Sequence, residues 1–298
     1  MEKKEKKVEI KGVERNIRNV IVGIDFSECS LGAMKNAIFI AEKFGAKLTL
    51  LFVVSPDAKI LVGAADIDKS GLYSLVEMRL KNLVKDCKKI IPKNIVTHKI
   101  RQGKASKEIN LEAREQGDAL IVLGTHGCSG FKEVFIGSSA FRTISASSCP
   151  VLTVRNSGDV AKHLSEILIV IDDTMETLQK LKLTADIANK FYSRVHIVGL
   201  EHPQFPGTRR VVEKYVKQVE NYLVRQNIRI ISTFVKNEGK IETVLKYVSD
   251  HDINLIVIMK EVELAGNEVF ILAPFSERIV NRSPVPVLTV NVDPIIYP

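Results

Sequence analysis

The sequence predicts an α/β protein of two tandem open parallel five-stranded sheets with helices on both faces. Three observations lead there. Short apolar, β-branched runs alternate with longer amphipathic stretches, which is the pattern of βαβ units. The runs are continuous rather than alternating in polarity, as in Ala119-Leu-Ile-Val-Leu123, and strands buried on both faces read this way. One such unit is also written twice.

The repeat sets the organisation. Gly103-Lys104, Ala119 to Leu123 and Val151-Leu-Thr-Val154 recur 136 residues later as Gly239-Lys240, Leu255-Ile-Val-Ile-Met259 and Val287-Leu-Thr-Val290. Nearer the start, Asn19-Val-Ile-Val-Gly-Ile-Asp25 matches Ile167-Leu-Ile-Val-Ile-Asp172 at an offset of 147. The second copy is therefore 11 residues shorter between those points, and the stretch Ser55 to Ser70 is the expected location of the difference.

Five strands are expected per copy: 19–24, 47–54, 94–100, 119–124 and 150–155, then 166–171, 194–200, 228–235, 254–259 and 286–291. Four amphipathic stretches separate them in each copy. The first runs from Ser30 to Phe44, opens at a hydroxyl cap and stops before Gly45, a residue suited to a left-handed helix end. Its partner begins at Thr174. Residues 1–16 read as a charged, solvated tail, 17–158 as a first domain and 163–293 as a second, with the junction at His163 to Glu166. In doubly wound sheets ligands bind beyond the carboxyl ends of the strands, where the winding changes direction. A break between strands 1 and 4 would set Asp25 and Gly124 on one crevice.

Composition excludes several classes. At 298 residues, 45% hydrophobic and 26% charged, the chain is neither collagenous, disordered nor a disulfide scaffold. No apolar run approaches the ~18 residues of a membrane-spanning helix, and the opening lacks the apolar segment of a secretory signal. The cytoplasm is the expected compartment, with no membrane partner. Cys29, Cys87, Cys128 and Cys149 show neither CxxC spacing nor clustered histidines, which points to reduced thiols. The net charge of +8 belongs to the first half, where residues 1–155 hold 26 Lys and Arg against 17 Asp and Glu, with 17 against 18 in the rest. A polyanionic ligand is one reading of this excess and dispersed surface lysines the other; nucleic acid is not the expected partner.

The chemistry concentrates after strand 4, in Leu123-Gly-Thr-His-Gly-Cys-Ser-Gly130 and then Gly137-Ser-Ser139 at a helix start. Glycines admit a ligand close to the backbone, and a helix N-terminus offers unpaired N–H groups to an anion. One reading is a phosphate cradle of Gly137, Ser138 and Ser139. The other is that the glycines shape a loop and Ser138 caps a helix. Other phosphate motifs fail: Gly103-Lys104-Ala105 lacks the elements of a P-loop, and the glycines from Gly124 to Gly130 neither fit the dinucleotide pattern nor follow strand 1.

The spacing Gly124-x2-Gly127-x9-Gly137-Ser138, with Asp25 ending strand 1 and Cys149-Pro-Val-Leu-Thr-Val154 closing the copy, resembles the ATP-binding type of the universal stress protein family. The resemblance spans nearly the whole chain as two copies and is specific in the first. It implies a Rossmann-like, adenine nucleotide alpha hydrolase-like fold with strand order 3-2-1-4-5. It also implies ATP as ligand, with Mg²⁺ or Mn²⁺ as an open accompaniment and no protein metal site. Asp25 and Val53 would hold the adenosine, beside Ile24 and Leu123; Gly124 and Gly127 would let the loop wrap ribose and phosphates; Gly137, Ser138 and Ser139 would bind phosphate oxygens. His126 would touch phosphate or pack on its own turn. Family members often carry a basic or larger polar residue where Cys128 stands, which suggests weaker phosphate binding here. Ser27 and Glu28 read either as metal helpers or, better, as caps of the first helix; Gly103 either approaches the nucleotide or forms a turn.

At an offset of 136 the second copy replaces Gly124, Gly127, Gly137 and Ser138 by Lys260, Glu263, Ala273 and Pro274, so no nucleotide is expected there. The expected function is a nucleotide-responsive stress or signalling protein with at most slow hydrolysis, because no arginine finger, acid/base pair or metal-binding carboxylate pair is visible. A nucleotide-free interaction scaffold is the alternative. An adenylate-forming ligase or flavin carrier would need a His-x-Gly-His element or a Ser-Gly-Gly loop, and both are missing. The apolar last strands are expected to pair the two copies as an internal pseudo-dimer, and further association of two chains stays open.

Overall fold

The computed structural model of the chain describes residues 16–55, 69–125, 137–155, 164–201, 207–236, 240–260, 262–265, 269–272 and 274–292. The first half contains β1 (Asn19–Ile24), α1 (Glu28–Phe44), β2 (Lys47–Val54), α2 (Lys69–Ile90), β3 (Val96–Gln102), α3 (Ala105–Gln116), β4 (Ala119–Gly124), α4 (Ser138–Ala146) and β5 (Val151–Val154). The second contains β6 (Glu166–Ile171), α5 (Leu181–Phe191), β7 (Arg194–Glu201), α6 (Thr208–Arg225), β8 (Arg229–Lys236), α7 (Lys240–Asp250) and β9 (Leu255–Lys260). It closes with β10 (Val262–Ala265), β11 (Val269–Leu272), α8 (Pro274–Arg282) and β12 (Val287–Asn291).

Ten of these strands form one sheet in the order β3-β2-β1-β4-β5-β12-β9-β6-β7-β8. Each half thus has the order 3-2-1-4-5, and neighbours within a half run parallel, as βαβ crossovers require. The two sheets fuse where β5 meets β12 antiparallel, with Leu152 opposite Leu288. Thr153 Oγ1 donates to the Val287 carbonyl at 3.2 Å and Thr289 Oγ1 to the Val151 carbonyl at 3.1 Å, so the seam repeats itself about a pseudo-twofold axis.

Side-chain alternation sorts the core into two layers. Val20, Val22, Leu120 and Val122 pack with α1 and α2, and Ile167, Ile169, Leu255 and Val257 with α5 and α6. Ile21, Ile121, Leu168 and Ile256 pack on the other face with α3, α4, α7 and α8. Each layer passes through both halves without a break. Across the seam, Ile40 and Phe44 of α1 and Ile187 and Phe191 of α5 line one apolar cavity with Leu152 and Leu288.

Helix ends follow local chemistry. Ser27 caps α1 by accepting the Ser30 N–H at 3.2 Å, which is the capping role read for it, and α1 ends at Gly45 with φ 64°. Position 192, the counterpart of Gly45, holds the same left-handed conformation with a tyrosine, φ 57°. The stretch that begins at Thr174 first makes a 3₁₀ turn, Met175–Leu178, and only then α5.

Two features depart from the expected repeat. The pairing registers set Leu120 opposite Val20 and Leu255 opposite Ile167, and Val20 corresponds to Ile167, so β4 and β9 are related by 135 residues. The shift of one residue matters because it exchanges the faces of a strand. The counterpart of Gly124 is accordingly Met259, not Lys260, and Lys260 stands where the first half has Thr125. From α4 and α8 onward the offset is 136. The second feature is the antiparallel hairpin β10–β11, which occupies part of the stretch corresponding to the glycine loop and lies beside α4 of the first half.

Candidate functional site

A cleft opens at the carboxyl ends of β1 and β4, where the order of the first half reverses direction. It measures about 750 Å³, counting the part open to solvent, and its walls include Ile24, Asp25, Leu123, Gly124, Gly137, Ser138 and Ser139. Seven of the ten sequence-predicted residues therefore converge on one crevice. Val53 lies on β2 on the same face as Gly23 and Asp25, half-buried against the core layer beneath the cleft. His126 and Gly127, with Cys128, lie outside the described residues. Sequence reasoning missed Gly23, Ser30, Ala105, Ile109, Thr125, Ala140 and Thr143, which complete the walls. Ala105, Ile109 and Thr143 come from the inward faces of α3 and α4, a signal available from helical periodicity.

Asp25 is built into a turn. Its Oδ1 accepts the Ser27 N–H at 3.0 Å and the Ser27 hydroxyl at 2.5 Å, while its own N–H donates to Ser30 Oγ at 3.3 Å. Asp172 repeats this: Oδ1 accepts the N–H and hydroxyl of Thr174 at 2.9 and 2.5 Å, and its N–H donates to Thr177 Oγ1 at 3.3 Å. The pattern Asp-x-Ser/Thr-x-x-Ser/Thr is a strand-to-helix device in both halves, which explains why the aspartate persists where the glycines do not. Beside it, Phe26 stacks near Phe52 with ring centroids 5.3 Å apart, and the Arg79 guanidinium lies 4.1 Å from the centre of the Phe26 ring.

Gly124 permits a close approach. A Cβ there would lie 2.7 Å from the Cys29 carbonyl carbon, so the first turn of α1 can settle on β4 only over a glycine. In the second half Met259 fills the equivalent position, buried, and the opposing segment is the 3₁₀ turn. At the far wall the Gly137 N–H donates to the Thr125 carbonyl at 2.6 Å, and this bond fixes the N-terminus of α4 against the end of β4. The side chains of Ser138 and Ser139 are exposed there. This end of the cleft thus combines a helix N-terminus, two hydroxyls and little side-chain bulk, a set of groups whose chemistry suits an anion.

Gly103, with φ 152°, forms the turn into α3 and donates its N–H to the Val54 carbonyl at 3.0 Å. Behind it, burial raises the Glu112 carboxyl, but bonds from Lys99, Gln116 and Arg101 outweigh burial and hold it below the usual carboxylate range. This network ties α3 to β3. Burial pushes the Cys87 thiol up to about 12, which keeps it protonated. Among the described residues, no three His, Cys, Asp or Glu side chains converge as metal ligands, and no helix is long and apolar enough to cross a membrane.

The fold and the cleft define a tandem α/β protein with a crevice at the switch point of its first half. The chain belongs to the universal stress protein family. The Universal stress protein family profile matches residues 16–155. The chain is 31% identical over 152 residues to Universal stress protein MJ0531 of Methanocaldococcus jannaschii, covering 49% of this chain and 86% of that protein. It is 31% identical over 144 residues to Universal stress protein YxiE of Bacillus subtilis, covering 46% and 97%. The crystal structure of a universal stress protein from Archaeoglobus fulgidus shares the tandem fold at 19% identity, with a TM-score of 0.71 over 93% of this chain and 99% of that one.

Proposed function

We propose that this universal stress protein binds ATP in the cleft of its first domain, residues 17–158, and acts as a nucleotide-responsive stress or signalling protein. The second domain, 163–293, binds no nucleotide and transmits or stabilises the response. One observation carries the reading: the Gly137–Ser139 start of α4 faces Asp25 and Gly124 across a single crevice. In this arrangement Asp25, with Ile24, Leu123 and Val53, takes the adenosine, and the free N–H groups and hydroxyls of α4 take the phosphates. By the family resemblance Gly127 and His126, which follow β4 in the sequence, would contact the phosphate chain, with Mg²⁺ or Mn²⁺ arriving on the nucleotide itself. Among the described residues the cleft supplies neither an acid/base pair nor an arginine finger, which supports a turnover that is slow at most.

Native mass spectrometry of the purified chain, followed by acid release and chromatography, tests this reading. One adenine nucleotide per chain, retained from expression or taken up from added ATP and Mg²⁺, is the expected result. Gly137→Asp sharpens the test. Gly137 has φ −58°, open to any residue, and aspartate is a good helix N-cap, so the fold should hold while the new carboxylate repels phosphate. ATP affinity should fall at least about tenfold by calorimetry. A chain that takes up no nucleotide would favour the scaffold reading, for which the structural employment of Asp25 in its own turn is the supporting observation.

A further inference from the structure

We infer that Lys260, a residue of the second half, is a positioning residue for the anion-binding end of the cleft in the first half. The inference rests on the ATP-binding reading above. Lys260 lies at the carboxyl end of β9, at the position equivalent to Thr125, which in the first half lines the cleft. Lys260 turns across the seam instead. Its ammonium donates to the carbonyl of Ser147, the C-cap of α4, at 2.5 Å and to that of Ser145, in its last turn, at 3.3 Å. A cation on those carbonyls satisfies groups the helix leaves unpaired and complements its dipole.

α4 is only nine residues long, about 13 Å end to end, so the two ends move as one rod. One end is held by Lys260 and the other is Gly137-Ser138-Ser139 at the cleft. A second contact from the same half acts on the same rod, because β11 of the hairpin lies beside α4. The second half has thus given up its own glycine loop and set two elements on the helix that receives phosphate in the first.

The pseudo-symmetry provides an internal control. The quasi-equivalent carbonyl on α8, that of Asn281, accepts a bond from Arg155 Nη1 at 2.8 Å. Arg155 is therefore an interdomain tie of the same kind, on the helix that faces no nucleotide.

The experiment is calorimetric titration of ATP with Mg²⁺ into the wild-type chain and the variants Lys260→Met, Lys260→Arg and Arg155→Met, with thermal midpoints measured without nucleotide. Lys260→Met should weaken ATP binding about two- to tenfold, Lys260→Arg should restore it, and Arg155→Met should leave it unchanged. Unchanged affinity in Lys260→Met, or an equal loss in Arg155→Met, overturns the inference while the ATP reading stands. A wild-type chain that binds no ATP overturns the ATP reading and this inference with it.

Discussion

Asp25 and Asp172 show how one residue type can carry two meanings. The sequence presents both as strand-end aspartates, and the resemblance assigns the first to adenosine. Their hydrogen bonds to Ser27 and Thr174 are nearly superimposable, so each also closes the turn into its helix. Asp25→Ala and Asp172→Ala should therefore each cost about 1 kcal/mol in urea unfolding, the usual loss for such a bond. Only Asp25→Ala should also lose ATP affinity, and equal binding by the two variants would assign Asp25 to structure alone. Tyr192 is the complementary case. It occupies the left-handed position that Gly45 holds in α1, yet it is 84% exposed and packs little. Tyr192→Gly should therefore raise the unfolding free energy by about 0.5–1 kcal/mol, read from the shift in urea midpoint.

Between single residues and the sheet lies what each element holds in place. The start of β6, the middle of β7 and α7 are joined by a chain of polar groups that no motif announced. Glu166 accepts from Arg194 at 2.8 Å and pairs with His196 Nε2 at 2.7 Å, His196 Nδ1 meets the Tyr247 hydroxyl at 2.8 Å, and His251 stacks on Tyr247 at 3.8 Å. Burial lowers the His196 pKa, the Glu166 carboxylate works against it, and burial prevails. The neutral ring then donates from Nε2 to Glu166 and accepts from Tyr247, whose hydroxyl burial keeps protonated. Burial raises Glu166, but the bonds from Arg194 and His196 hold it below the usual carboxylate value. Both shifts have the same sign in stability. Above about pH 6.5 the histidine contribution is complete; below it the unfolded chain gains a proton that the folded chain refuses, and below about pH 4.5 the glutamate adds to the loss. Urea midpoints of the wild type should fall between about pH 6.5 and 5, with a slope of up to about 1.4 kcal/mol per pH unit, and His196→Gln should flatten that fall. Parallel profiles would remove His196 as the cause.

The ten strands of the sheet lie where apolar runs and turn residues put them, because burial on both faces leaves an unambiguous imprint. The cleft was legible too, since Asp25, Gly124 and Gly137 sit at strand ends and a helix start that the winding brings together. Register was not. Ala119 to Leu123 and Leu255 to Met259 are both apolar throughout, so a one-residue shift leaves their match unchanged, and only pairing with β1 and β6 decides it.

For the molecule as a whole the decisive feature is the seam. Two separate sheets would unfold separately, but β5 and β12 merge them, and both core layers cross from one half to the other. Solvent entering between the halves would open the apolar cavity shared by α1 and α5 and expose an unpaired strand on each side. Neither half then offers a stable stopping point, and unfolding without nucleotide should be a single transition in scanning calorimetry. The axis of the seam runs by Leu152 and Leu288, which are 4% and 1% exposed. Leu288→Asp buries a carboxylate at the seam, against Leu152 and in the core layer shared by both halves, a cost of several kcal/mol. Its calorimetric trace should divide into two transitions, the lower one well below the wild-type midpoint. Two resolved transitions in the wild type, or an undivided and unshifted peak in the variant, would mean that the halves are joined in geometry but independent in energy. In that case the ties from Lys260 and Arg155 would have to account for any communication between them.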